Sequence, residues 1–126
     1  MTENEISKVI VDSSIEVHRT LGGSGFLEDV YEESLFWELK SKGLLVAKQL
    51  EVPIVYKGKK LASALRLDLL VENKVIIETK AVVNYNRIFE TQALTYLRLL
   101  NLKLALVINF GEKYVARGIH RVVNNL

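Results

Sequence analysis

At 126 residues with 49% hydrophobic side chains, the chain is sized for a single domain, 1–126, around one real core. It has no cysteine, which excludes disulfides and thiolate metal sites and fits the reducing cytoplasm expected for it. The net charge of only +2 permits a nucleic-acid partner without arguing for one, no apolar run approaches the roughly 20 residues of a membrane span, and the acidic start Met1-Thr-Glu-Asn-Glu5 is unlike a signal peptide.

In chain order, Ile6, Ile10, Ser13, Val17 and Leu21 fall near helical spacing and predict a helix over 4–21, ended by the glycines from Gly22 to Gly25. A second helix is predicted over 26–42, with Leu27, Val30, Tyr31, Ser34 and Leu35 on one face and Gly43 as its stop. A strand follows over 46–56, with Pro53 marking an edge or a bulge. Lys57-Gly-Lys59 turns the chain into a strand over 60–71, and a third strand runs over 75–83. Asn84 to Asn86 lead into a helix over 87–100, with Phe89, Ala93, Tyr96, Leu97 and Leu100 inward. The apolar stretch 102–110 reads as a central strand, and 114–123 as one or two short terminal strands. The order ααβββαβ(β) gives an α/β domain with a mixed sheet flanked by helices.

Two of these strands hold charges that need an explanation. Asp68, Glu78 and Lys80 stand in otherwise apolar segments, and a buried charge is costly unless paired or bound to a metal. Glu72-Asn73-Lys74 suits a three-residue hairpin loop. Val71 then faces Val75, and Asp68 falls directly opposite Glu78, with Cβ atoms roughly 4.5–5.5 Å apart. Lys80, two residues on, shares the face of Glu78. A two-residue turn would put the acids on opposite faces and abolish the site. Two readings stay open on physics alone. One is a structural cluster with diagonal Asp68–Lys80 and Arg66–Glu78 attraction. The other is a cation held between the carboxylates.

Asp68…Glu78-Thr79-Lys80 resembles the Asp…(Asp/Glu)-x-Lys signature of PD-(D/E)xK nucleases. Gly25-Phe-Leu-Glu28-Asp-Val-Tyr31 resembles the motif of the small GxxExxY family grouped with them, as do Glu16-Val-His18-Arg19-Thr-Leu-Gly22, the segment from Arg66 to Val71, and Asn109-Phe-Gly111. The resemblance runs from about residue 15 to 123. Leu67 stands where the signature often has proline. The resemblance implies a restriction-endonuclease-like core and a Mg²⁺- or Mn²⁺-dependent phosphodiesterase acting on nucleic acid, DNA ahead of RNA, through a metal-activated water. It implies Asp68 and Glu78 as metal ligands, with Glu28 from the first core helix and the Thr79 carbonyl joining them. Lys80 would orient the water or neutralise charge, and Gln92 would touch the metal water or the substrate.

Each role has a plainer counterpart. Glu28 can be a solvated first-turn acid facing the helix dipole. Gln92 and Tyr96 can be helix surface or hydrogen bonds to the sheet, and Tyr31 packing beneath a site. His18 suits a core hydrogen bond better than a phosphate contact, and His120 has no ligand spacing to it. The glycine loop lacks the Lys-[Ser/Thr] of a phosphate loop, and Ser13, Ser14 and Ser24 lack a triad context. Lys57, Lys59 and Lys60, like Lys40, Lys42 and Lys48, read as a solvated turn and helix end. The rival function is a non-catalytic nucleic-acid-binding or protein-assembly module on the same fold. With no DNA-reading domain evident, a homodimer or a partner protein would supply recognition. Hydrolysis of RNA or a nucleotide is a third possibility.

Overall fold

A computed structural model describes residues 1–126. Helix α1 spans Glu3–Leu21 and α2 Glu28–Ser41; strands β1 (Val46–Tyr56), β2 (Lys59–Val71) and β3 (Val75–Lys80) follow; then come α3 (Ile88–Leu100), β4 (Leu104–Asn109), a short 3-10 turn (Val115–Gly118) and β5 (Ile119–Val123). The five strands form one sheet in chain order. β3 and β4 run parallel, joined through α3, and the other neighbours are antiparallel. This is the mixed α/β arrangement expected, and no helix is long and apolar enough to cross a membrane.

The local signals explain most boundaries. Thr2 and Glu5 form a reciprocal capping box that starts α1. Gly22 ends it in the left-handed conformation at φ 92°, which costs glycine least. Helices α1 and α2 cover one face of the sheet, burying Ile6, Ile10, Tyr31, Leu35 and Leu39 against Leu69, Val71, Val75, Ile77, Leu104, Leu106 and Ile108. Helix α3 covers the other, burying Ala93 and Leu97 against Leu70, Ile76, Ala105 and Val107. All six β4 residues are buried, which explains that strand's unbroken apolar run. β1 is an edge strand whose register shifts between Pro53 and Val55, so proline deletes no interior hydrogen bond.

Three expectations are corrected. Helix α2 begins at Glu28, not 26, and Leu27 is 81% exposed instead of on the buried stripe. The amide of Phe26 is taken by the Tyr31 hydroxyl, which holds the preceding residues in a loop. The segment 114–118 is a 3-10 turn, not strand, and only 119–123 pairs with β4. Finally, β3 stops at Lys80, not 83. Beyond it the Asn109 side chain replaces a neighbouring strand. It accepts from the amides of Val82 and Gly111 and donates to the Val82 carbonyl, each at 3.0 Å.

That crossing needs a bare backbone at Gly111, where a Cβ would lie 2.4 Å from the Val82 oxygen and 2.7 Å from its nitrogen. Both obstacles are main chain and cannot swing aside. We therefore expect Gly111→Ala to destabilise the protein by about 3 kcal/mol. Urea unfolding checks this, and an unchanged midpoint would show that the crossing yields freely.

Candidate functional site

The hairpin between β2 and β3 has the three-residue loop, with Glu72 and Asn73 at positive φ and Val71 paired to Val75. The ladder runs through Leu70↔Ile76 to Leu69↔Ile77 and stops. The next residues in line, Asp68 and Glu78, do not continue it as the directly opposed pair that the loop length predicts. There a side chain takes over from the ladder, because Asp68 Oδ2 accepts from the Thr79 amide at 2.7 Å and the Thr79 hydroxyl at 3.0 Å.

The sheet forks at this level. Residues two apart on a strand should share a face, yet Leu69 packs under α1 and α2 while Leu67 packs under α3. β2 therefore turns over at Asp68. Opposite it, between the pairs Lys48↔Leu69 and Leu50↔Leu67, Gln49 has φ 53°, so β1 turns over at the same level. The result is a gap that both helical layers can reach.

Acidic groups crowd this gap. Glu78 is 7% exposed, and its Oε1 has no hydrogen-bond partner. Burial above all, then the charge of Asp68 and contact with its carboxyl, pushes the Glu78 pKa up to about 9, with Lys80 pulling the other way. Glu28, at the first position of α2, is raised by burial. Lys80 opposes that rise while Asp68 and Asp29 add to it, so Glu28 lies in the field of the fork. Lys80 is half-buried, forms no ion pair, and places its ammonium 4.5 Å from the centre of the Phe89 ring.

A fourth acid escaped the sequence reading. Glu32 follows Glu28 by one helical turn and accepts from the Gln49 side chain at 2.7 Å. Its pKa is pushed up to about 7, by burial first; the Gln49 bond opposes this and Asp68 adds to it. The i, i+4 spacing from Glu28 was the available signal. The turnover of β1 at Gln49, which swings its amide toward α2, leaves no trace in residue types.

On the α3 side, the Tyr96 hydroxyl is raised by burial and then by the charges of Glu78 and Asp68. Gln92 is exposed and makes no hydrogen bond to the acids; with Leu65, Thr95 and Tyr96 it lines a cleft of about 180 Å³. Tyr96 is thus the α3 residue in the field of the fork, and Gln92 stands at the cleft beside it. Thr79 is fully buried, with its amide and hydroxyl committed to Asp68. A larger cavity, about 410 Å³, opens between the end of α1 and the β4–β5 connection, and none of these acids lines it.

The glycine loop and Tyr31 place Glu28. The buried Tyr31 ring stacks on Phe110 at 4.7 Å. Its hydroxyl donates to the Gly23 carbonyl at 2.7 Å and accepts from the Phe26 amide at 3.2 Å. His18 belongs to the same packing: 6% exposed, with Nε2 3.1 Å from the Phe110 carbonyl, it is a core residue. We expect Tyr31→Phe to cost about 1–3 kcal/mol, the penalty for stranding a buried polar group, and to loosen the start of α2. Urea unfolding measures the first effect and amide exchange across 23–29 the second; native-like protection in that segment would refute the anchoring role.

The donors at the fork suit a hard cation, being carboxylate oxygens without thiol or imidazole. The unpartnered, buried Glu78 Oε1 is the acceptor such an ion would satisfy. No three His, Asp or Glu side chains stand as a ready-made cage, so the remaining ligands would be backbone or water, as Mg²⁺ commonly keeps. Residues 4–122 match the family model of the PD-(D/E)XK nuclease superfamily. Neither a curated protein nor a solved structure matches the chain.

Proposed function

The chain belongs to the PD-(D/E)XK nuclease superfamily, whose nucleases generally use divalent metal ions, and on that premise we propose that it is a Mg²⁺- or Mn²⁺-dependent phosphodiesterase that hydrolyses nucleic acid, DNA ahead of RNA. The observation that carries the reading is the buried Glu78 carboxyl, with an oxygen lacking any partner, beside Asp68. Asp68 and Glu78 would hold the ion, with Glu28 approaching from α2 and the Thr79 carbonyl as a backbone donor. When bound, the ion supplies a water of lowered pKa and neutralises charge on the scissile phosphate.

The other tasks fall to side chains. Lys80 offers only donors and lies beside Glu78 without a carboxylate partner, so it is available to orient the attacking water and meet charge developing on the phosphate. The Phe89 ring fixes its ammonium. Gln92, exposed at the cleft, supplies a polar contact to the substrate. In-line attack on phosphorus, with the 3′ oxygen leaving and taking up a proton, yields a 5′-phosphate.

A second reading, a non-catalytic binding or assembly module, is favoured by one observation. Glu78 is buried beside Asp68, and that burial pushes its pKa up to about 9, which favours the protonated acid, a poor cation ligand. Nicking of supercoiled DNA in Mn²⁺ separates the two. Wild type should nick weakly and Asp68→Ala not at all. Equal nicking by both would assign the activity to a contaminant, and no cleavage of DNA or RNA despite measured Mn²⁺ binding would reject the phosphodiesterase.

A further inference from the structure

The β1–β2 hairpin outruns the sheet. From residue 53 to 63 every side chain is exposed except the half-buried Ile54. The pairs Val55↔Lys60 and Tyr56↔Lys59 continue to the tip, where Lys57 and Gly58 both have positive φ, 49° and 80°. That two-residue geometry matches the twist of the flanking strands. The projection is therefore a paired ribbon and not a loose loop. Val55 and Tyr56 are 63% and 61% exposed on it. A long exposed hairpin with apolar side chains is a liability unless something covers it.

Charge indicates what covers it. Residues 46–66 carry Lys48, Lys57, Lys59, Lys60 and Arg66 against Glu51 alone, a net charge of +4. The whole chain is only +2, so the remainder is net negative at −2. The positive excess of the molecule thus sits on this one hairpin. At about 3.3 Å per residue, the tip at Lys59 lies roughly 30 Å along β2 from Asp68, close to the ≈34 Å turn of a DNA duplex. At its base, Leu65 lines the cleft with Gln92, Thr95 and Tyr96.

We propose that the β1–β2 arm is a duplex-DNA-binding ribbon that lies in the major groove and brings a backbone phosphate to the fork at Asp68, Glu78 and Lys80. The B-form major groove, about 12 Å wide, admits a two-stranded ribbon, whereas the deep, narrow major groove of A-form RNA does not. Ala62, Ser63 and Ala64 keep one strand of the ribbon slender. The lysines at the tip neutralise phosphates on both sides of the groove. The delivery of phosphate to the fork rests on the phosphodiesterase reading; the binding does not.

The test compares wild type with the triple variant Lys57→Gln/Lys59→Gln/Lys60→Gln, altered only at exposed positions. Binding to a labelled 30-base-pair DNA duplex is followed by anisotropy in EDTA over a salt series. Each phosphate contact contributes about 0.9 to the slope of log affinity against log salt, so the variant should flatten the slope by about 2–3 and bind at least about tenfold more weakly at low salt. Hydrolysis of bis(p-nitrophenyl) phosphate in Mn²⁺, which needs the fork and not the arm, should be equal in both proteins. Failure of wild type to hydrolyse this small diester strikes the phosphodiesterase reading and leaves the arm standing. Unchanged affinity and slope in the variant overturn the arm. So do wild-type preference for duplex RNA or single strands, and self-association in sedimentation that the triple variant abolishes.

Discussion

Glu78→Gln should raise the melting temperature of the metal-free protein at pH 8 and remove its response to Mn²⁺. Glu78 is buried with an unpartnered oxygen, and its pKa is pushed from 4.5 to about 9. Between those values the folded state holds a proton that the unfolded state has released. Stability is therefore highest below the unfolded pKa and falls as pH rises toward the folded one, by up to about 1.4 kcal/mol per pH unit for one proton. Glutamine keeps the shape and removes the titration, so this part of the slope should vanish in the variant. Mn²⁺ takes the place of the proton, so its binding should strengthen with pH and release about one proton. At 100 times the dissociation constant a cation bound only to the folded state adds about 2.7 kcal/mol, roughly 8 °C for a chain of this size. Differential scanning calorimetry from about pH 5 to 9, with and without Mn²⁺, reads all three effects. Parallel pH profiles in wild type and variant, with no shift in Mn²⁺, would remove the metal site.

Lys80→Ala should lose cleavage by about 10²–10³-fold, the usual cost of one transition-state donor, while keeping most of the Mn²⁺-induced rise in melting temperature. The two readouts separate because Lys80 stands beside the carboxylates without an ion pair to either, its ammonium over Phe89. Removing it also deletes the one charge that draws the Glu78 and Glu28 pKa values down. The metal-free variant should hold its Glu78 proton to still higher pH, a direction that carboxyl resonances can follow. Asp68→Ala should lose both cleavage and the Mn²⁺ response. If Lys80→Ala loses the thermal response as well, Lys80 supports the fold of the site and has no separate role in the reaction.

The helices, the strands and the hairpin register as far as Leu69↔Ile77 were legible in the sequence, because each rests on local chemistry. Apolar period separates helix from strand, and the polar trio Glu72-Asn73-Lys74 sets the loop, and with it the register. Where a distant residue competes with local propensity, the reading failed. β3 ends early because Asn109, far along the chain, captures Val82, and 114–118 coils before it pairs. The fork itself was invisible. Its features are the turnover of both strands at Gln49 and Asp68, the carboxylate of Glu32 held by Gln49, and Tyr96 in the field of the acids. Each depends on how α2 and α3 settle against opposite faces of one sheet. So does the meaning of Lys57, Lys59 and Lys60, an ordinary solvated turn by composition. What makes them a basic arm is that neither helical layer reaches far enough along β1 and β2 to cover them. The sequence by itself determined the hairpin register that carries Asp68 and Glu78 to the end of the β2–β3 ladder, because that register is local; only the tertiary structure brought Glu32 and Tyr96 to them and left Glu78 Oε1 buried without a partner, because both are set by what packs on top.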